Sequence, residues 1–267
     1  MPVELEIRDG DPWWISPDIW VVPGQNPEGS VGAPIVGQSN FIWARIKNKG
    51  TSSVNNAVVR FYWADPSVGF DRNTAHLVGT SNVNLLSNES ADVLCLTPWI
   101  PEYVNDGHEC VLAEAFHSSL DPLPATPDFN VPTDRHVAQR NLSVVHALRG
   151  FFAFPFVVHN IVRTEQKFEL KVMQGKLKEL EPFRDRLGID LPKREGQLVR
   201  TAFVESRCPV ENIDDDKEAS QLSVGVPGKG SRATTLSGRI EGGAVLVHVG
   251  QYRNDCLVGG LSVLVVS

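Results

Sequence analysis

The chain has 267 residues, 42% of them hydrophobic and 21% charged, enough apolar material for packed cores and too little charge for wholesale disorder. Its formal net charge is −7 and lysine and arginine form no cluster, which argues against neutralising the phosphates of a nucleic acid. No stretch reaches the roughly 20 apolar residues of a membrane-spanning helix, and the start Met1-Pro2-Val3-Glu4-Leu5-Glu6-Ile7 lacks the basic-then-apolar order of a secretory signal. The expectation is a cytoplasmic chain, one exported by a route that needs no such signal, or one whose leader was replaced by an artificial start.

The 22 glycines and 18 prolines punctuate short apolar runs, the pattern of many strands joined by turns. Strands are expected near 18–22, 39–47, 57–64, 76–80, 91–97, 108–116 and 138–146. Phe41, Trp43 and Arg45 alternate with Ile42, Ala44 and Ile46, a period of two. The same period places Val59, Phe61 and Trp63 on one face of the third strand. Lys47-Asn48-Lys49-Gly50 followed by Thr51-Ser52-Ser53 closes the second strand with turn-forming residues. The connections 65–75 and 117–137 are long, and the prolines of the second (Pro122, Pro124, Pro127, Pro132) keep it out of a sheet.

A second series begins with Phe152, Phe154, Phe156 and Val158, and Phe168, Leu170 and Val172 repeat the period. Further strands are expected near 197–204, 220–226, 232–240, 244–250 and 257–266. Between them, Leu177, Leu180, Phe183 and Leu187 recur at helical spacing, with Pro182 making the helix short or kinked. The pattern predicts an all-β chain of two tandem antiparallel β-sandwiches, residues 1–146 and 147–267, with a short helical insertion in the second. No flexible Gly/Ser linker separates them, which predicts a fixed angle at the junction.

Residues 15–146 resemble the bacterial cell-adhesion-related domains (CARDB type). The segments carrying the likeness are Ser16-Pro17-Asp18-Ile19-Trp20-Val21, residues 41–50 with their Arg-Ile-Lys-Asn-Lys-Gly ending, and Val58-Val59-Arg60-Phe61-Tyr62-Trp63. After them come Thr97-Pro98-Trp99-Ile100-Pro101, Gly107-His108-Glu109-Cys110 and residues 134–144. The resemblance implies an immunoglobulin-like sandwich in which Asn-x-Gly ends the second strand and a Trp–Pro pair precedes the penultimate one. Residues 151–267 are immunoglobulin-like only in general pattern. The absence of a secretion signal and the two long loops depart from the family and set aside an ordinary cell-surface adhesin role.

Catalytic templates are missing: the sequence holds no Gly-x-Ser-x-Gly elbow, P-loop, dinucleotide fingerprint or His-Glu-x-x-His. Gly225-Val226-Pro227-Gly228-Lys229-Gly230 lacks the Lys-Ser/Thr of a phosphate loop and is expected to be a hairpin turn. The four cysteines form no Cys-x-x-Cys pair. Buried free thiols are expected; a Cys95–Cys110 or Cys208–Cys256 bridge would instead imply an oxidising compartment. His108 and Cys110 share a strand face and could begin a metal site with Cys95, but no further ligand is placed by spacing, so no metal and no cofactor is expected. The acidic run at 214–218 lacks EF-hand spacing and is expected to be a solvated loop. The triplets Asn88-Glu89-Ser90 and Asn141-Leu142-Ser143 match a glycosylation acceptor, which matters only in a secreted chain.

Of the six tryptophans, Trp43, Trp63 and Trp99 are expected in cores, whereas the adjacent Trp13 and Trp14 point opposite ways in an extended chain, leaving one exposed. These observations favour a non-catalytic structural or interaction protein that binds a protein partner or assembles with itself. Trp13, Trp14, Asp121, Asp128 and Phe129 are its candidate contact residues. The alternatives are a carbohydrate-binding module using exposed tryptophan and a hydrolytic enzyme with loop-borne acid/base residues.

Overall fold

The computed structural model describes residues 2–64, 72–73, 75–101, 110–160, 162–187, 190–204 and 220–267. His108, Cys208, the acidic run at 214–218 and most of the 65–75 connection lie outside them. The described chain is all-β apart from one short 3-10 helix, and it divides into two compact units. One holds the described residues up to Arg140 together with 185–187; the other holds the rest.

In the first unit, sheet I contains β1 (Leu5–Glu6), β2 (Ile19–Pro23), β3 (Asn40–Asn48) and β6 (Ser90–Leu94), all antiparallel to β3. Lys47 pairs Glu6 on one side and Ser90 on the other, while Trp43 pairs Trp20 and Leu94. β1 and β2 therefore follow one another along the same edge of β3. Sheet II has the order β5-β4-β7-β8, built from β4 (Val54–Ala64), β5 (His76–Leu85), β7 (Cys110–Phe116) and β8 (Val137–Arg140). Ile42, Ala44 and Ile46 of β3 share one core with Val59 and Phe61 of β4 and with Ala113 and Ala115 of β7, so sheets I and II face each other. Phe61 is fully buried there, worth about 2–3 kcal/mol of transfer free energy.

The Asn48-Lys49-Gly50 turn has a specific job. Buried Asn48 accepts from the amides of Gly50 and Glu4 and donates to the carbonyls of Ser52 and Leu86. A Cβ on Gly50 would collide with the Pro2 carbonyl, so a residue without a side chain lets the N-terminal strand pass.

In the second unit, sheet III has the order β10-β14-β12 and sheet IV the order β13-β11-β15-β16-β9. Their strands are β9 (Leu142–His146), β10 (Phe151–His159), β11 (Gln166–Gln174), β12 (Gln197–Val204), β13 (Gln221–Val226), β14 (Ser231–Glu241), β15 (Ala244–Arg253) and β16 (Cys256–Val266). Phe152, Phe154, Phe156 and Val158 meet Val245, Val247, Val249, Val263 and Val265 in one core. β9 pairs β16 in parallel, and the other pairings between these strands are antiparallel.

Four expectations change. The strand expected over 138–146 is two strands in different sheets. At Asn141 the chain leaves β8; its carbonyl accepts from the Ser262 amide and its side chain donates to the Gly260 carbonyl. A continuous run of strand formers gives no sign of such a change of partner. The 227–230 segment is a turn closed by Gly230 N–H on the Pro227 carbonyl, but it is not a hairpin: β13 pairs β11 whereas β14 pairs β10 and β12. The helical run is a 3-10 helix, Leu177–Arg186, with Pro182 inside; proline removes a backbone donor and its ring clashes with the preceding turn of an α-helix. Cys256, expected to be buried, is exposed beside the Asn254-Asp255 turn, while Cys95 and Cys110 are buried and unbridged.

Candidate functional site

The loop after β7 lies on the outer face of sheet II. Strand β7 is buried along its whole length, because one face meets the core shared with sheet I and the other lies under this loop. Phe129 and Val131 from the loop pack with Tyr62, Ala64, Cys110, Leu112 and Val137, and half-buried Trp13 joins them. The Phe129 ring meets Tyr62 edge-on at 5.2 Å.

Beside this apolar layer stands Glu114, whose side chain is fully buried. It accepts from Tyr62 Oη at 2.7 Å, Arg72 Nε at 2.7 Å and Arg60 Nη1 at 3.3 Å. Arg72 also donates to the Thr126 and Asp128 carbonyls, lies 4.9 Å over the Phe129 ring, and donates its amide N–H to the Pro127 carbonyl. One buried carboxylate thus holds, through one arginine, the middle of the loop. Burial and the neighbouring carboxylate push the Tyr62 hydroxyl far above its usual pKa, so it remains a donor at any ordinary pH.

The near end of the loop is fixed by a second ionic group. Buried Asp121 accepts from the Leu5 amide at 2.6 Å and Arg135 Nη2 at 2.6 Å, with His136 Nε2 at 3.2 Å. His136 Nδ1 in turn contacts Asp134 Oδ1 at 2.7 Å. Burial alone would raise the Asp134 pKa; the side-chain and backbone hydrogen bonds of His136, with the charges of His136 and Arg72, outweigh it and hold the carboxyl below its usual range.

Sheet I presents a different outer face. Phe41, Trp43, Arg45 and Lys47 alternate with the core residues of β3 and look away from the core. Trp43, expected in the core, is therefore half-buried on the outer face, with Nε1 donating to the Pro27 carbonyl. It stacks on Trp20 at 6.1 Å and 7°, and Arg186 lies 4.1 Å over Trp20. Arg186 also donates to the Pro17 carbonyl, and its own carbonyl accepts from Arg140. Burial, reinforced by the Arg186 charge, pushes the Arg140 pKa down to about 10. Next to the stack a groove of about 400 Å³ is lined by Glu6, Arg8, Asp18, Arg45, Lys47, Ser90 and Asp92. Four of its charges are paired: Arg8 holds Asp18 through Nε and Nη2, and Arg45 holds Asp92 in the same way.

The second unit carries a carboxylate–imidazole–hydroxyl chain. His248 Nε2 lies 2.8 Å from Glu179 Oε2 and Nδ1 lies 2.8 Å from Ser262 Oγ. The three groups have the connectivity of a nucleophile relay. Ser262 is only 1% exposed, and a Cβ on Gly175 would strike His248 Nε2. The imidazole and hydroxyl of the relay are buried, and the half-buried Glu179 ties the 3-10 helix to β15.

The expected contact residues separate accordingly. Trp13 and Phe129 come together on sheet II, with Trp13 meeting Trp14 edge-on at 5.3 Å. Trp14, Asp121 and Phe129 are buried, while the Asp128 side chain is exposed. Trp99 is in the core as expected; Trp63 is half-buried and stacks on His76 at 4.1 Å. Sequence reasoning missed Glu114, Arg60 and Arg72, which are distant in the chain. It also missed the outward Trp43 face, although the alternation Phe41, Trp43, Arg45, Lys47 ends in charges and so points to solvent. Among the described residues, no group of three or more His, Cys, Asp or Glu is arranged to hold a metal ion, and no helix is long and apolar enough to cross a membrane.

No family model matches the chain, and no curated protein matches it. Among solved structures it is similar to a β-D-glucoside glucohydrolase from Trichoderma reesei (16% identity over 39% of this chain and 16% of that one, TM-score 0.22). It is also similar to red sea bream transglutaminase (11% identity, 93% and 31%, TM-score 0.24) and to Escherichia coli alpha-2-macroglobulin (9% identity, 93% and 22%, TM-score 0.27). The chain spans less than a third of each of these proteins. At such TM-scores they carry no argument about function.

Proposed function

We propose that this chain is a non-catalytic interaction protein made of two immunoglobulin-like β-sandwiches, acting by docking a protein partner or further copies of itself. The observation that carries the reading is where its reactive side chains go. Glu114, Asp121, His136, His248 and Ser262 are all buried and hydrogen-bonded to the segments they hold, and the half-buried Glu179 is engaged by His248. What the described surface offers instead is sheet edges and the half-exposed aromatic and charged face of sheet I.

Strand order supports the immunoglobulin-like part. In the first unit β1, β2, β3 and β6 face β5, β4, β7 and β8; with β1 and β2 counted as one interrupted edge strand, this is the division of seven strands into two sheets expected of that fold. The second unit departs from a simple copy, since β12 joins sheet III before β13 joins sheet IV. The likeness of the first unit to cell-adhesion-related domains is part of the same proposal, and the 3-10 helix is read as an insertion over sheet IV. Against a carbohydrate platform stands Arg186, which already covers Trp20.

The test is covalent labelling of the full chain with a fluorophosphonate probe, read by peptide mapping. No modification of Ser262 is expected. Labelling that vanishes in His248→Ala, in a variant that keeps its native circular dichroism, would overturn the non-catalytic reading.

A further inference from the structure

Sheet edges differ in how well they are protected from pairing, and hydrogen-bond phase shows which groups face out. Ile240 donates to the Gly150 carbonyl and Asn160 to the Gly230 carbonyl. The even residues of β10 therefore bond to β14, and Ala153, Pro155 and Val157 turn their backbone groups to the free edge. Pro155 has no N–H to offer there, so this edge is blunted. β2 ends in Pro23, β6 carries Asp92, β8 has four residues and ends in Arg140, and β12 has a register shift beside Arg200. β9 and β13 are uncharged but only five and six residues long.

The register of strand β5 against β4 shifts near both ends, between Leu77 and Gly79 and between Val83 and Leu85; between those points β5 has none of these protections. It runs for ten residues, His-Leu-Val-Gly-Thr-Ser-Asn-Val-Asn-Leu, without proline, lysine, arginine, aspartate or glutamate. Its phase follows from the neighbouring strands. Ala115 donates to the His136 carbonyl, so odd residues of β7 bond toward β8 and even ones toward β4. Through the registers Arg60↔Glu114 and Arg60↔Thr80, Gly79 and Ser81 bond to β4. Thr80 and Asn82 turn N–H and C=O to the open edge, and their side chains are exposed. Among the described residues no strand pairs this edge.

We infer that β5 is a strand-addition interface and that its occupant is β5 of a second copy, paired antiparallel about a two-fold axis at Ser81. This rests on the interaction reading above and narrows it to one edge. Three features fit a second copy. With no charged residue in the strand, the two edges meet without like-charge repulsion. A two-fold at Ser81 opposes outward-facing Thr80 to outward-facing Asn82, so each exchanges both backbone bonds with its opposite. Finally, the strand's exposed apolar residues lie at opposite ends, Leu77 at 57% and Leu86, just past the strand, at 66%. The two-fold sets position 77 opposite position 85 of the second copy, one residue from its Leu86, so each exposed leucine lies at the same end of the paired strands as the other copy's.

The test is sedimentation velocity on the full chain from micromolar to submillimolar concentration, with amide hydrogen exchange at Thr80 and Asn82. The wild type is expected to form a dimer as concentration rises, with exchange at both amides slowing in step. Asn82→Lys should weaken the dimer roughly tenfold by placing charge on a neutral edge. Thr80→Pro should weaken it at least as much, because it deletes an outward N–H and no ladder bond. Both variants should keep the native circular dichroism and thermal midpoint. A chain that stays monomeric throughout overturns the inference while leaving docking of a different protein standing. A dimer unchanged by both variants, with unprotected Thr80 and Asn82, overturns the β5 assignment and leaves self-assembly through another surface.

Discussion

The two outer faces of the first unit use the same chemical pair, arginine with carboxylate, in opposite settings. On sheet II, Glu114 is fully buried beneath a loop and one of its two arginines, Arg72, bridges to that loop. On sheet I, Arg45 and Asp92 stand open to water, with side chains 40% and 37% exposed. Removing the buried carboxylate leaves the Arg72 guanidinium and the Tyr62 hydroxyl without their acceptor where water has little access, while Arg60, 37% exposed, can turn to solvent. Removing an exposed one lets water take its place. The pair is the same; the surroundings decide whether it is a structural anchor or a surface ornament that a partner can displace.

The comparison breaks first at Glu114. Glu114→Ala is expected to cost about 3–5 kcal/mol in urea unfolding, with an unchanged slope against denaturant, and to open the 117–137 loop to limited proteolysis. Glu114→Gln keeps an acceptor and should cost less. If Glu114→Ala costs no more than a surface substitution, Glu114 is not the anchor. Phe129→Ala comes next, at about 3 kcal/mol, since it removes the ring that plugs the same apolar layer and the loop can partly settle into the gap. The two residues share Arg72, so their effects should fall short of additive in the double variant.

These two residues also show what a sequence can and cannot disclose. The strands were legible because a period of two, cut by glycine and proline, is a local signal, and β3, β4, β10 and β16 lie within a few residues of where that period puts them. Proline at 155 even marks an unpaired side, since only an edge strand accommodates it. Phe129 was legible as a loop aromatic, but its direction was not: a loop that long either waves in solvent or folds back, and the choice depends on Glu114, met by an arginine 42 residues away. Hydropathy alternation likewise located Trp43 on a strand without saying which of two faces was core, because Phe41 and Trp43 look apolar enough for either. The split at Asn141 left no trace, since a change of sheet alters the partner and not the local conformation.

Acid offers a finer probe of the roofed face. Asp134 is held below its usual pKa in the fold, so the folded state binds its proton less readily than the unfolded chain does. Its contribution is therefore fully present above the unfolded value near 3.8 and is lost as pH falls through the lower folded value. Thermal midpoints of wild type and Asp134→Asn should differ at pH 6, begin to approach each other only as pH falls past the unfolded value near 3.8, and meet once it has fallen through the lower folded value. A gap that stays constant with pH would mean that the charge of Asp134 contributes nothing.

The smallest expected effect tests the open face. A double-mutant cycle on Arg45→Ala and Asp92→Ala should return a coupling of about 0.2–1 kcal/mol, shrinking in high salt. The bidentate geometry, at 2.6 and 2.8 Å, argues for the upper end of that range, while the exposure of both side chains argues for the lower. A coupling as large as that expected at Glu114 would mean that the groove is effectively dry, and the two faces would then differ in shape but not in dielectric setting. A small, salt-sensitive coupling leaves the Arg45–Asp92 pair cheap to separate. That is the property a docking face needs, because a partner's own charges can then replace either member without first dismantling the sheet.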